Sequence, residues 1–316
     1  MKTLPPDCSL SVVVPVHNAE ATIVPLVEAI SRELGGKHSF NLVLVDDGSR
    51  DGSYEVCRQM ALANPRVKFL SLFKNFGQLN AILAGLREAD GDVVIIMDDD
   101  LQNPPAEVHK LVAAIRQGYD FAFGSPEKRW QHSLWRRLAS RLTSRVYETV
   151  FNKPKGLYAS SYVAVRQDVV LEVIKYDGPY PILMGLLLRV TRDGCNVPVE
   201  HLPRQHGKSG YTLGKLLALW LCGITNFSIL PLRISYLLGM ISAAAGFAFL
   251  FYVIVEKLLY PEQVLVGWSS VAAMIMFFAG VQLVMLGMMG EYVGRIFLTL
   301  NRTPQSVVRE KYNCSL

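Results

Sequence analysis

Several features that would place this chain outside the cell are missing from its sequence. Five cysteines occur in 316 residues: Cys8, Cys57, Cys195, Cys222 and Cys314. An odd number at such wide spacing lacks the paired ligands of a zinc site, and reduced thiols are the expectation. The N-terminal MKTLPPDCS has no apolar signal core, and the SVVVPV after it is too short to be one. The N-terminal part is therefore expected to stay in the cytosol. There is no internal repeat and no low-complexity tract. A large excess of one charge sign is absent too: the net charge is +5, with a pI near 8.9. That balance suits an anionic partner such as a phosphate or a lipid headgroup without choosing between them. The basic residues accompany apolar helix faces instead of aromatic-lined grooves, so nucleic acid is not an expected partner.

Apolar residues, by contrast, are plentiful. They make up 51% of the chain, and the mean hydropathy is +0.25, high for a purely soluble protein. Their arrangement changes near residue 231. Before it, β-branched runs alternate with helical patterns. Strands are expected at Leu10–Val14, Asn41–Val45, Val67–Ser71, Val93–Met97 and Phe121–Gly124, with helices at about 20–34, 52–63, 77–89 and 105–117. Such alternation predicts an α/β domain on a parallel sheet, with ligands at the carboxyl ends of the strands. Polar residues fall at four of those ends: His17 and Asn18, Asp46 and Asp47, Lys74 and Asn75, and Asp98 to Asp100.

After residue 231, Ile234 to Val255 carries no charge. At about 1.5 Å rise per residue it reaches about 33 Å, enough to cross a bilayer core. Val264 to Gly290 is longer still. Arg233 precedes the first stretch, and Arg295, Arg302, Arg309 and Lys311 follow the second. These basic flanks predict a membrane hairpin with both chain ends cytosolic. Residues 132–151 interleave Arg136, Arg137, Arg141 and Arg145 with Leu134, Trp135, Leu138 and Leu142, the pattern of a basic helix lying on an anionic membrane surface. A solvated helix packed on its own domain would read the same way. Residues 213–230 are strongly apolar and read as a further interfacial helix. The expected organisation is a cytosolic catalytic domain over 1–212, the interfacial helix 213–230, a transmembrane hairpin over 231–290 and a cytosolic tail over 291–316.

The strongest local signal is Asp98-Asp99-Asp100-Leu101-Gln102. Three carboxylates after an apolar strand repel one another unless a cation neutralises them, and hard oxygen ligands of this kind suit Mg²⁺ or Mn²⁺. Asp98 and Asp100, two apart in extended chain, can point the same way. Taken alone, the run also reads as an acidic turn capping the helix that begins near Pro104–Pro105, with Asn103 as another cap. The second signal, Asp46-Asp47-Gly48-Ser49-Arg50-Asp51-Gly52-Ser53, is again strand, acidic turn and helix, with Asp51 or Ser49 available as N-cap. Its carboxylates can accept from a base imide or from ribose hydroxyls, or simply cap the turn. His17, in PVHN, offers a ring to stack on a base.

Taken together, PVHN, VDDGSRDGS, KNFGQ and MDDDLQNPP resemble, in order and spacing, the nucleotide-sugar half of family 2 glycosyltransferases. RRLAS at 136–140, RQHGKSGY at 204–211, the two apolar stretches, MGEYVGRIF and RTPQSVVRE extend the likeness over nearly the whole chain. That order is similar to bacterial undecaprenyl-phosphate glycosyltransferases and, less closely, to dolichol-phosphate mannose synthases. The resemblance implies a GT-A (Rossmann-like) catalytic domain that transfers a hexose or pentose from a nucleotide-sugar, expected to be a UDP-sugar, onto a polyprenyl phosphate with inversion. It implies Asp98, Asp100 and Gln102 at the Mg²⁺ or Mn²⁺ site, with Asp100 and Arg204 in catalysis. Pro15, His17, Asn18, Asp46, Asp47, Asp98 and Asp99 would bind the donor nucleotide, and Arg136 and Ser140 the acceptor phosphate. A bacterial inner (plasma) membrane location and a homo-oligomer, with a tetramer as one arrangement, are implied as well.

The sequence departs from the family pattern at His17, where an aromatic ring is common, at Ala19, where a glutamate is common, and at Gly210, where a lysine is usual. Two competing readings remain. A processive polysaccharide synthase would carry QxxRW, whereas Arg129-Trp130 has Pro126 in the glutamine position. A non-catalytic membrane scaffold would have no need of the acidic set. The sugar itself is not written in the sequence.

Overall fold

The computed structural model describes residues 4–5, 7–126, 148, 153–178, 181–202, 230–259, 268–301 and 304–314. The expected interfacial segments 132–151 (apart from residue 148) and 213–230 (apart from residue 230), together with Arg136, Ser140 and Arg204, lie outside them. Two compact units emerge: Met1–Leu216 with Arg302–Leu316, and Leu217–Asn301.

The first unit is an α/β domain on one eight-stranded sheet. In chain order its strands are β1 (Leu10–Val16), β2 (Phe40–Asp46), β3 (Val67–Leu72), β4 (Val93–Ile96), β5 (Phe121–Pro126), β6 (Val163–Arg166), β7 (Gly194–Val199) and β8 (Val308–Tyr312). Across the sheet they run β7-β5-β6-β4-β1-β2-β3-β8. The helices are α1 (Glu20–Leu34), α2 (Ser53–Ala63), α3 (Gln78–Leu86), α4 (Val108–Arg116), α5 (Gln167–Val173) and α6 (Leu183–Val190). β1 pairs in parallel with both β2 and β4, and β2 pairs in parallel with β3. The expectation of a parallel sheet is met in this central block and again where β5 pairs in parallel with β7. β6 runs antiparallel to both β4 and β5, and β8 antiparallel to β3, so the sheet is mixed. The apolar runs of β1 to β4 are buried on both faces, as two covering helix layers require.

Helix faces follow the same logic. In α4, Val108, Leu111, Val112 and Ile115 are buried, a spacing that puts them on one stripe against the sheet. In α1 that stripe is Ile23, Leu26, Ile30 and Leu34. They share one core with Val12, Val14, Leu42, Leu44 and Ile95.

The second unit consists of α7 (Leu230–Leu259) and α8 (Trp268–Leu300). Ser235 Oγ lies 2.9 Å from Met288 Sδ, and a Cβ added at Gly239 would sit 3.7 Å from Met285. Contacts that descend on one helix as they climb on the other define an antiparallel hairpin. Leu232–Phe249 and Phe277–Leu300 are each long and apolar enough to cross a membrane, and neither segment is buried within the protein. α8 continues past the uncharged stretch through a Glu291–Arg295 ion pair at 2.6 Å.

Candidate active site

Because β3, β2, β1 and β4 are parallel neighbours, their carboxyl ends open at one edge, and the polar residues after each strand meet there. His17 follows β1. Its backbone N–H donates to Asp99 Oδ2 at 3.1 Å, joining the β1 end to the β4 end. Its Nδ1 lies 3.0 Å from the Asp47 carbonyl, which can only accept, so Nδ1 carries the proton. Nε2 then accepts from the amides of Asn18 and Asn75, each at 3.1 Å. The ring is held from three loops while remaining exposed at the edge. Asn18, with φ of 54°, occupies the left-handed region that asparagine tolerates. Its Oδ1 accepts the Arg50 N–H at 2.8 Å. Pro15 lies inside β1, buried and opposite Val45.

The two carboxylates after β2 divide their work. Asp47 is 2% exposed, and its oxygens accept the N–H groups of Phe76 and Gly77 at 2.7 and 2.9 Å. Burial pushes its carboxyl above the usual range, with these two amides pulling the other way. Asp47 therefore shapes the loop after β3. Asp46, equally buried, accepts the Ser49 N–H at 3.1 Å and faces the Ser71 hydroxyl at 3.4 Å. Between these loops the chains almost touch. Gly48 has φ of +64°, and a Cβ there would come within 2.5 Å of the Lys74 carbonyl carbon. Only glycine fits such an approach. At the start of α2, Asp51 Oδ1 accepts the Ser53 N–H at 3.1 Å. Glu20, the residue after Ala19, is committed to the Gly52 N–H at 3.0 Å.

After β4, Asp98 accepts from the Gln78 side-chain amide at 2.6 Å and from the Ser161 hydroxyl. Burial, together with Asp98 and Asp100 on either side, pushes the Asp99 carboxyl up to about 6, although the His17 amide favours its charged form. Asp100 Oδ1 accepts the Gln102 N–H at 3.1 Å across Leu101. Leu101 has φ of 60°, a strained conformation for leucine of the kind found at functional sites. Gln102 exchanges hydrogen bonds with the backbone of Leu202, at 2.8 and 3.3 Å. Asn103 pairs with His201 at 3.2 Å instead of capping, and the helix opens with a 3-10 turn at Pro105–Glu107.

Three adjacent carboxylates offer hard oxygen ligands of the kind that suit a divalent cation. Among the described residues no three His, Cys, Asp or Glu side chains are gathered into a cage. An ion here would be held by one or two carboxylates, with phosphate and water oxygens supplying the rest. Beside this edge lies a cavity of about 520 Å³ whose lining includes His17, Asn18, Asp46, Tyr54, Ser71 and Asn75. Arg50, Lys74 and Arg309 line it too, giving a positive surface for an anionic ligand.

Sequence reasoning missed Gln78, Ser161, Tyr54, Ser71 and Arg309 as parts of this edge. Ser161 and Arg309 are remote in sequence from the acidic turns and carry no local motif. Gln78 could have been suspected from KNFGQ.

Residues 11–173, which hold β1 through β6 and every acidic turn above, match the model of glycosyl transferase family 2. The chain belongs to that family. This family 2 glycosyltransferase is 36% identical over 309 residues to the undecaprenyl-phosphate 4-deoxy-4-formamido-L-arabinose transferase of Edwardsiella ictaluri (strain 93-146), covering 95% of this chain and 94% of the relative. Against the enzyme of that name from Pseudomonas aeruginosa (strain LESB58) the identity is 36%, over 96% and 90% of the two chains. An uncharacterized glycosyltransferase of Bacillus subtilis (strain 168), YkcC, is 29% identical over 96% and 94%. Among solved structures, glucosyl-3-phosphoglycerate synthase from Mycobacterium tuberculosis with uridine diphosphate is similar at 20% identity and a TM-score of 0.49, over 70% of this chain and 79% of that one.

Proposed function

We propose that the protein transfers a sugar from a UDP-sugar to undecaprenyl phosphate at the cytosolic face of a bacterial inner membrane, with inversion at the anomeric carbon. The observation that carries this reading is the extent of the likeness. The undecaprenyl-phosphate transferases align over 95% of the chain, a span long enough to take in the acidic turns and both long apolar helices as well.

The chemistry follows from charge. A phosphomonoester has a second pKa of about 6, so the acceptor oxygen is already largely ionised at neutral pH and needs little help from a base. The harder task is to accommodate charge on the departing nucleoside diphosphate. When bound, Mg²⁺ or Mn²⁺ neutralises that charge. Asp98 and Asp100 would hold the ion, with Gln102 beside them. Gln78 and Ser161 orient Asp98, and the turn across Leu101 orients Asp100. His17, Asn18 and Asp46 face the cavity that would take the nucleoside, and Asp47 keeps the opposite loop in place. Arg204 is proposed to reach the diphosphate, and Arg136 and Ser140 the acceptor phosphate. Holding donor and acceptor in line supplies the rest of the acceleration. A homo-oligomer remains part of the proposal.

The test is a donor panel with the purified full chain, Mg²⁺ or Mn²⁺, and undecaprenyl phosphate. UDP-4-deoxy-4-formamido-L-arabinose is the first donor and UDP-glucose the second. A glycosylated lipid seen by mass spectrometry is expected with at least one donor. Donor hydrolysis with no lipid product, or no reaction at all, would overturn the reading.

A further inference from the structure

We infer that Arg309, delivered by the strand that follows the helical hairpin, determines which base the donor carries, favouring uracil over cytosine. The inference rests on the donor reading above and concerns a residue outside the segment that matches the family.

β8 pairs with β3 as Ser71↔Glu310 and Leu72↔Val308, so Arg309 is the extra residue where the register shifts. A bulge of this kind leaves one residue outside the ladder and re-aims its side chain. Here the re-aimed side chain lines the cavity that also holds Asp46, Arg50 and Lys74.

The strand that presents Arg309 is pinned at both ends. Gln305 is buried, donates to the carbonyls of Tyr176 and Gly178 at 3.1 and 2.7 Å, and accepts from Arg87 at 2.9 Å. Glu310 accepts from the hydroxyls of Tyr54 and Tyr312 at 2.8 and 3.1 Å, and Lys311 pairs with Glu88. Asn313 donates to the carbonyls of Ala61 and Val67 at 2.6 and 2.9 Å. By contrast, the guanidinium of Arg309 approaches Glu310 at a loose 3.9 Å with 58% of its side chain exposed. A rigid strand thus offers an arginine that its own fold barely engages.

The cavity places a carboxylate among cations. Uracil presents acceptor, donor, acceptor along its pairing edge, and complements a carboxylate flanked by donors. Cytosine presents acceptor, acceptor, donor. It would set a lone pair against Asp46 and an amine against a guanidinium that can only donate. Asp46 is buried, so a ligand lone pair set against its carboxylate is poorly screened by water, and a site of this kind rejects the mismatched analogue.

The experiment compares UDP and CDP binding to the full-length protein in detergent by calorimetry, for wild type, Arg309→Gln, Arg309→Lys and, as a control at an exposed cation away from the cavity, Lys37→Gln. Wild type should prefer UDP by about tenfold or more. Arg309→Gln should weaken UDP by about tenfold while moving CDP by less than about twofold, so that the preference collapses. Arg309→Lys should retain an intermediate preference, and Lys37→Gln the wild-type one. Equal weakening of both nucleotides by Arg309→Gln would overturn the inference in favour of simple charge attraction. An unchanged preference in that variant would overturn it outright. A wild-type protein that binds neither diphosphate would instead remove the donor reading, and the inference with it.

Discussion

The two units spend the same residue types in opposite ways. In the sheet unit Val12, Leu42, Leu44 and Ile95 are at most 1% exposed, whereas in the helical unit Leu237, Phe247 and Leu300 are 59%, 73% and 76% exposed. An apolar side chain buried in water-soluble surroundings contributes about 1.5–3 kcal/mol. The same side chains facing outward on two helices that are apolar all round have no such reward in water, but they suit hydrocarbon. The first unit thus buries its apolar side chains in the chain's own core, whereas the candidate spans of the second leave theirs facing outward. Polar chemistry divides likewise: the strand-end carboxylates all belong to the first unit.

Substitutions that touch one unit alone would sharpen or break that division. The largest effect is expected from Asp100→Asn, which should lower sugar transfer about a thousandfold or more while the protein stays in the membrane fraction. Transfer assays paired with fractionation check both halves, and retained turnover would end the proposal that Asp100 holds a metal ion. Ile241→Arg, at a 57% exposed position of α7, should cost about 2.5–3.5 kcal/mol of insertion. It would be read as lost resistance to alkaline extraction, with nucleotide binding intact. If insertion is unaffected, the reading of α7 as a membrane span fails.

Gly48→Ala should destabilise the sheet unit by about 2–3 kcal/mol, since it adds a Cβ against the Lys74 backbone at a positive φ. A lowered thermal midpoint without loss of membrane retention is the expected signature. The smallest effect concerns pH. Burial raises the Asp90 carboxyl, but the ion pair with Lys68 at 2.7 Å and the Asn41 amide outweigh it and hold the group below its usual value. A depressed carboxylate stabilises the fold above its unfolded value of about 4, and that contribution fades as pH falls through the lower folded value. Asp90 is 62% exposed, so Asp90→Asn should remove no more than about 1 kcal/mol at neutral pH. It should also flatten the acid limb of an unfolding curve followed by circular dichroism.

The central architecture was legible because its signals are local. β1 to β4 are short β-branched runs between amphipathic helices, and the acidic turns stand directly after them. β6, β7 and β8 were not legible. β6 has four residues, Val163–Arg166, too few for a period to show. β8 reads Val-Arg-Glu-Lys-Tyr, a charged tail until its backbone meets the free edge of β3. The antiparallel pairings of β6 and β8 are contacts between distant segments, which no local pattern encodes. The site shows the same split. Asp98 to Asp100 announce themselves as a run, whereas Gln78 and Ser161, which hold Asp98, arrive from the start of α3 and the segment before β6. Asp46 and Asp47 look alike in sequence, yet one faces the cavity and the other is bound to the amides of Phe76 and Gly77.

By itself, then, the sequence determined the two kinds of region and the residue types at the strand ends, because periodicity, charge and turn chemistry act between near neighbours. Only the tertiary structure decided that the sheet is mixed, which of two adjacent carboxylates serves the loop, and that a strand beyond the hairpin returns an arginine to the cavity. Those outcomes depend on which distant edges and backbone donors become neighbours once the core has formed.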